Sequence, residues 1–149
     1  MTTPAPPELP VTFRPARTRT VLLALGAAML AVLTVVALLL PGLGPGERLS
    51  FVLTGALVFA VLWVLARPRV LADGAGVTVV NIASSRRLDW AEILQVRLRP
   101  GDPWVFLDLS DGTSLPVLGI QPGMAREQAL RDARALRALV EARSGADRA

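Results

Sequence analysis

Two long uncharged apolar runs dominate this chain. Val21–Leu40, VLLALGAAMLAVLTVVALLL, has Thr34 as its only polar side chain. Leu49–Ala66, LSFVLTGALVFAVLWVLA, has only Ser50 and Thr54. As helices they would extend about 30 and about 27 Å, close to the thickness of a bilayer's hydrocarbon core. Each Leu, Val or Phe near the centre favours insertion by roughly 0.3–0.6 kcal/mol. Between the runs, Pro41–Arg48 reads PGLGPGER. It breaks helices and is too short to cross a bilayer, so a transmembrane hairpin of antiparallel neighbours is expected over residues 20–66. The first run exceeds a signal peptide's apolar region, and no small-x-small cleavage site follows it. Small residues spaced four apart (Ala24 and Ala28, Ala27 and Ala31, Ala56 and Ala60), with Gly26 and Gly55, allow close helix approach. Arg14, Arg17 and Arg19 precede the first run, and Arg67 and Arg69 follow the second. The linker has only Arg48, beside Glu47. The positive-inside rule therefore predicts a multi-pass plasma-membrane protein with both termini cytoplasmic and the linker outside.

Composition excludes several chemistries. Of 149 residues, 52% are hydrophobic, none is Cys and none is His. Disulfides, thiolate sites and the commonest general base and metal ligand are thereby removed. All sixteen basic residues are Arg. The pI of 11.4 follows from Arg without His, Lys or Tyr, so no nucleic-acid partner is read from it. No ionisable group lies within either run, which argues against a transporter. Ser84, Ser85, Ser110 and Ser114 have no His or Lys to activate them. No catalytic, cofactor-binding or metal-binding residue is expected.

The flanking regions differ in texture. Residues 1–19, with five Pro among the first fifteen, read as a disordered cytoplasmic tail. Residues 67–145 read as a cytoplasmic domain of about six short antiparallel strands joined by tight turns: 69–72, 76–82, 86–89, 94–99, 104–109 and 113–118. A helical turn is expected at Trp90–Ile93 and an amphipathic helix over about residues 124–143, with Arg126, Arg131, Arg134, Arg137 and Arg143 mostly on its polar side. Trp90, Ile93, Val96, Phe106, Leu136 and Val140 are the expected core anchors. The fold class is thus α+β, a two-helix hairpin followed by an antiparallel sandwich or barrel capped by one helix.

This order of elements resembles a bacterial pleckstrin-homology (PH) domain. The residues that carry the resemblance are Arg69-Val-Leu-Ala-Asp-Gly74, Gly76-Val-Thr-Val-Val-Asn81, Arg87-Leu-Asp-Trp-Ala-Glu-Ile93 with Val96, and Phe106-Leu-Asp-Leu-Ser-Asp-Gly112. With two spans before it, the chain is similar to membrane-anchored actinobacterial PH proteins, including the low molecular weight protein antigen 6 family. The resemblance implies a PH fold on a two-span anchor and no settled activity. Phosphoinositide-binding members carry basic residues around the first hairpin loop, which reads here as the acidic, small Asp73-Gly-Ala-Gly76. Arg86, Arg87, Arg97 and Arg99 remain as candidate lipid or phosphate contacts. The expected partners are the bilayer and a protein, with homo-oligomers compatible. The expected role is a non-enzymatic adaptor or scaffold that receives an extended peptide on a strand edge. The alternatives are an anionic-lipid sensor and a small subunit of a membrane complex.

Overall fold

The structure, a computed structural model, describes residues 5–146. It divides into two compact units. One holds residues 16–67, and the other holds the preceding segment together with the chain from residue 68 onward.

In the first unit, helix α1 (Ala16–Leu39) packs against helix α2 (Pro45–Leu65). Pro45 opens α2, where its missing N–H costs nothing, and the Glu47 carboxylate accepts the Gly44 N–H at 2.8 Å. The two glycines are the contact points. A Cβ on Gly26 would lie 3.0 Å from the Phe59 ring, and one on Gly55 would lie 3.1 Å from the Leu30 Cα. Both helices are long and apolar enough to cross a membrane. Leu25, Val32 and Leu39 along one face of α1, and Leu53, Leu57 and Val61 along one face of α2, are exposed, an arrangement that water penalises and hydrocarbon does not. The interhelical turn is tighter than PGLGPGER suggested, because Pro45 to Arg48 already belong to α2.

The second unit is α+β. Strands β1 (Val11–Phe13), β2 (Arg69–Ala72), β3 (Gly76–Val80) and β4 (Ser85–Asp89) form one antiparallel sheet in that order. Strands β5 (Ile93–Arg97), β6 (Val105–Leu109) and β7 (Ser114–Val117) form a second, and helix α3 (Arg126–Ala146) follows. A single 3-10 turn at Trp90–Glu92 joins the sheets. The β-prone, alternating sequences explain the strands: Val70, Val77, Val79 and Leu88 point inward from the first sheet. Ile93, Val96, Leu107 and Val117 point inward from the second, and Leu136, Leu139 and Val140 of α3 complete the core. Gly76 is required by proximity, since a Cβ there would fall 2.1 Å from the Leu88 carbonyl oxygen.

The tail expected to be disordered over 1–19 is corrected by β1 and by α1. Val11, Thr12 and Phe13 pair with Ala72, Leu71 and Val70, and Phe13 is 4% exposed. Arg17 and Arg19 already belong to α1. Residues 1–4 of that tail lie outside the described residues. The cause is tertiary: three residues cannot hold a strand alone, but β2 offers a free edge and the core a place for one ring. The domain expected over 67–145 is therefore discontinuous in sequence. Its first strand comes before the helical hairpin, and the hairpin replaces the connection between β1 and β2.

Candidate functional site

That insertion changes the meaning of Asp73-Gly-Ala-Gly76. Expected as the first hairpin loop, it is the second connection of the sheet, between β2 and β3. Asp73 is fully committed there. Its Oδ1 accepts the N–H groups of Ala75 and Gly76 at 2.9 and 3.0 Å, and its carbonyl accepts the Trp90 indole N–H at 3.1 Å. The Arg87 guanidinium grips both carboxylate oxygens at 3.0 Å and also donates to the Thr78 hydroxyl at 3.2 Å. The Arg87 fork, then the two backbone N–H groups, hold the Asp73 carboxyl below its usual range.

The other candidate arginines are dispersed. Arg86 lies 3.4 Å from Asp111 in the β6–β7 turn. Thr113 donates its hydroxyl and its backbone N–H to Asp111, and these bonds, with Arg86 after them, depress its pKa. Arg97 reaches Asp108 at 3.2 Å and lies over the Phe106 ring at 5.4 Å, while the Ser114 hydroxyl donates to the same carboxylate. Three of the four expected anion contacts are thus paired with aspartates 11 to 25 residues away, and β4 and β5 carry them in separate sheets. Sequence spacing could not reveal this, because strand register brings Asp108 to Arg97, the β2–β3 loop brings Asp73 to Arg87, and the packing of the two sheets brings the Asp111 turn to Arg86.

Arg99 alone among the four makes no ion pair among the described residues. It borders an open cavity of about 450 Å³ between the β5–β6 loop and the start of α3. Leu98 and Leu130 contribute apolar walls, and Arg126 a second guanidinium. Asp102 is also in the lining, its Oδ2 accepting the Arg99 backbone N–H at 2.8 Å. Arg126 stood out in the sequence only as one of a helical basic series; its proximity to Arg99 depends on the fold.

Of the expected core anchors, Trp90, Ile93, Val96, Leu136 and Val140 lie in the buried cluster. Phe106 does not, and that expectation is corrected. On β6 the inward positions are Val105, Leu107 and Leu109, which leaves Phe106 on the outer face between Arg97 of β5 and Pro116 of β7. Asn81, a buried polar residue without an assigned role in the sequence, donates its amide to the Pro116 carbonyl at 2.8 Å and accepts the Leu118 N–H at 3.0 Å. It thereby occupies the outer edge of β7. Arg137 of α3 donates to the Val96 carbonyl at 3.0 Å and occupies part of β5. The outer edge of β4 has no backbone hydrogen-bond partner among the described residues.

Comparison with known proteins agrees with this architecture. Residues 67–139 match the family described as a bacterial PH domain. The chain is 36% identical over 73 residues to an uncharacterised protein of Mycobacterium bovis and to uncharacterised proteins from two strains of Mycobacterium tuberculosis. That stretch covers 49% of this chain and 44% of each relative, so the chain matches less than half of their length. No solved structure matches the chain. The family match begins at residue 67 and so omits β1, which only the fold supplies. Two antiparallel sheets, a closing helix and the family match agree that residues 67–139 are similar to a bacterial PH domain, in a unit that has a long apolar helical hairpin set between its first two strands.

Proposed function

We propose that the protein is a non-enzymatic, membrane-anchored PH-domain adaptor that presents a strand edge to an extended segment of a protein partner at the inner face of the plasma membrane. The observation that carries this reading is the outer edge of β4, which has no backbone partner among the described residues and only its last N–H, that of Asp89, taken by the Glu92 carboxylate at 2.7 Å, in a domain whose other sheet has its edges engaged by Asn81 and Arg137. An unpaired row of N–H and C=O groups is a template for one more strand. The finer likeness to the low molecular weight protein antigen 6 family belongs to the same reading.

The membrane placement rests on two arguments. Phe13 pairs with Val70 in one sheet, so the chain on either side of the hairpin occupies the same compartment and an even number of crossings separates them. Arg14, Arg17, Arg19, Arg67 and Arg69 against the single Arg48 make that compartment the cytoplasm. The aspartate pairing of Arg86, Arg87 and Arg97 speaks against the lipid-sensing alternative, since a guanidinium must leave its carboxylate before it can grip a phosphate.

The natural absence of Cys makes the test direct. Single cysteines at Gly44, Ser85 and Arg143 are exposed to an impermeant maleimide on whole cells. Labelling at Gly44 alone supports the orientation, and labelling at Ser85 or Arg143 refutes it. A photo-crosslinking residue in place of Arg86 should capture a protein partner in the full chain, and adding Ser85→Pro, at the first residue of β4 where the N–H faces the outer edge, should abolish the capture while leaving the domain folded. Capture that survives the proline would remove β4 as the binding element.

A further inference from the structure

The cavity beside Arg99 belongs to none of the edges used above, and every residue around it lies in the PH unit. Its chemistry is specific. Leu98 and Leu130 supply aliphatic surface, and prolines of the β5–β6 loop and of the approach to α3 stiffen the rim. Met124, 58% exposed, stands between the lining residues Gly123 and Arg126. Met124 follows the lining residue Gly123 in the chain, so its methyl group can report on the rim.

The charge narrows the class further. Arg99 and Arg126 carry two positive charges, neither in an ion pair among the described residues, and Asp102 returns one negative charge. Two guanidiniums against one carboxylate leave the lining with a formal charge of +1. Asp102 is occupied with the Arg99 backbone N–H, a bond that holds the turn and leaves both guanidiniums available. A volume of about 450 Å³ lies within the usual range of small-molecule sites.

We propose that this cavity binds a monocarboxylate carried on a compact aliphatic body, with Arg99 and Arg126 gripping the carboxylate and Leu98 and Leu130 receiving the aliphatic part. A dianionic phosphate would exceed the net charge of the lining and leave the aliphatic walls unused. The same chemistry has two sources: a free short-chain organic acid, or the terminal carboxylate of a polypeptide that ends on an aliphatic residue. The site is separate from the β4 edge, so its occupancy does not depend on the adaptor reading.

Met124 also makes the test site-specific, since the chain has only three methionines. The full chain, labelled with 13C-methyl methionine and held in phosphatidylcholine nanodiscs, is titrated with hexanoate and with the tripeptide Ala-Val-Leu bearing a free carboxylate. The Met124 methyl resonance should shift saturably with at least one of them. Hexanamide, the amidated tripeptide and inorganic phosphate should move it far less. Arg99→Gln and Arg126→Gln should each weaken the binding about tenfold, the loss of one charge-assisted contact. Arg134→Gln, on an exposed position of α3, should leave it unchanged. Tighter binding of the tripeptide assigns the site to a polypeptide terminus; equal or tighter binding of hexanoate assigns it to a free acid. An unmoved resonance with both carboxylates, an equal response to the amides, a preference for phosphate, or wild-type titrations in both glutamine variants would overturn the proposal.

Discussion

Phe13→Ala tests the discontinuous domain most directly. Phe13 is separated from β2 by the whole helical hairpin, yet it is 4% exposed in the core of the PH unit. Truncating a buried Phe to Ala costs about 3–5 kcal/mol, through lost transfer energy and the cavity left behind. β1 is an edge strand of three residues, so its surroundings can partly close, and the low end, about 3 kcal/mol, applies. A domain holds only about 5–15 kcal/mol in total, so this is a large fraction. About 3 kcal/mol multiplies the open population by roughly a hundredfold. Hydrogen exchange of the full chain in nanodiscs reads it locally. The backbone amides of Val70 and Ala72, which face β1, should exchange much faster in the variant, as should that of Leu71, which faces β3, and those of β3. Thr12→Ala, on the exposed alternate position of β1, should change little. If Phe13→Ala left exchange in β2 and β3 at the wild-type rate, residues 11–13 would not be part of the domain, and the same-compartment argument would fall with them.

Asn81→Ala should cost about 1–3 kcal/mol, because the Pro116 carbonyl and the Leu118 N–H lose their partner at a buried site, and the thermal midpoint should drop by several degrees in a calorimetric or circular-dichroism melt. Gly55→Leu should separate α1 from α2, since even a Cβ lies 3.1 Å from the Leu30 backbone; a cysteine pair flanking that contact should lose its crosslinking efficiency, and unchanged crosslinking would refute the close approach. Asp73 and Asp111 have carboxyl pKa values lowered in the folded state, so their contribution is present above the unfolded value of 3.8 and is lost as pH falls through the folded one. Asp132 behaves oppositely: burial raises its pKa, so folding weakens as pH rises through that range, and Asp132→Asn should stabilise the domain at neutral pH but not at pH 3 in urea titrations.

How far the fold was legible differs by element. The two apolar runs needed only local composition, since an uncharged stretch of that length has one comfortable solvent. Strands β2 to β7 were legible from alternation and turn residues, to within a residue or two at each end, and α3 from its period. Trp90 and Ile93 could be placed in the core because a helical turn between strands puts both on one side. Phe106 is expected in the core on its size alone, whereas alternation puts it on the face of Asp108, opposite Val105, Leu107 and Leu109, and the fold follows the alternation.

The sequence by itself determined that the chain contains a membrane-length hairpin and a small β-rich module, since these follow from composition and short-range periodicity. Tertiary structure alone decided that Val11–Phe13 is the first strand of that module, that Arg86, Arg87 and Arg97 are paired with aspartates, and that Arg99 meets Arg126 across a cavity. Each of these is a contact between residues far apart along the chain. Such contacts are set by strand register and by closure of the core around a few apolar side chains, quantities that no local window of the sequence contains.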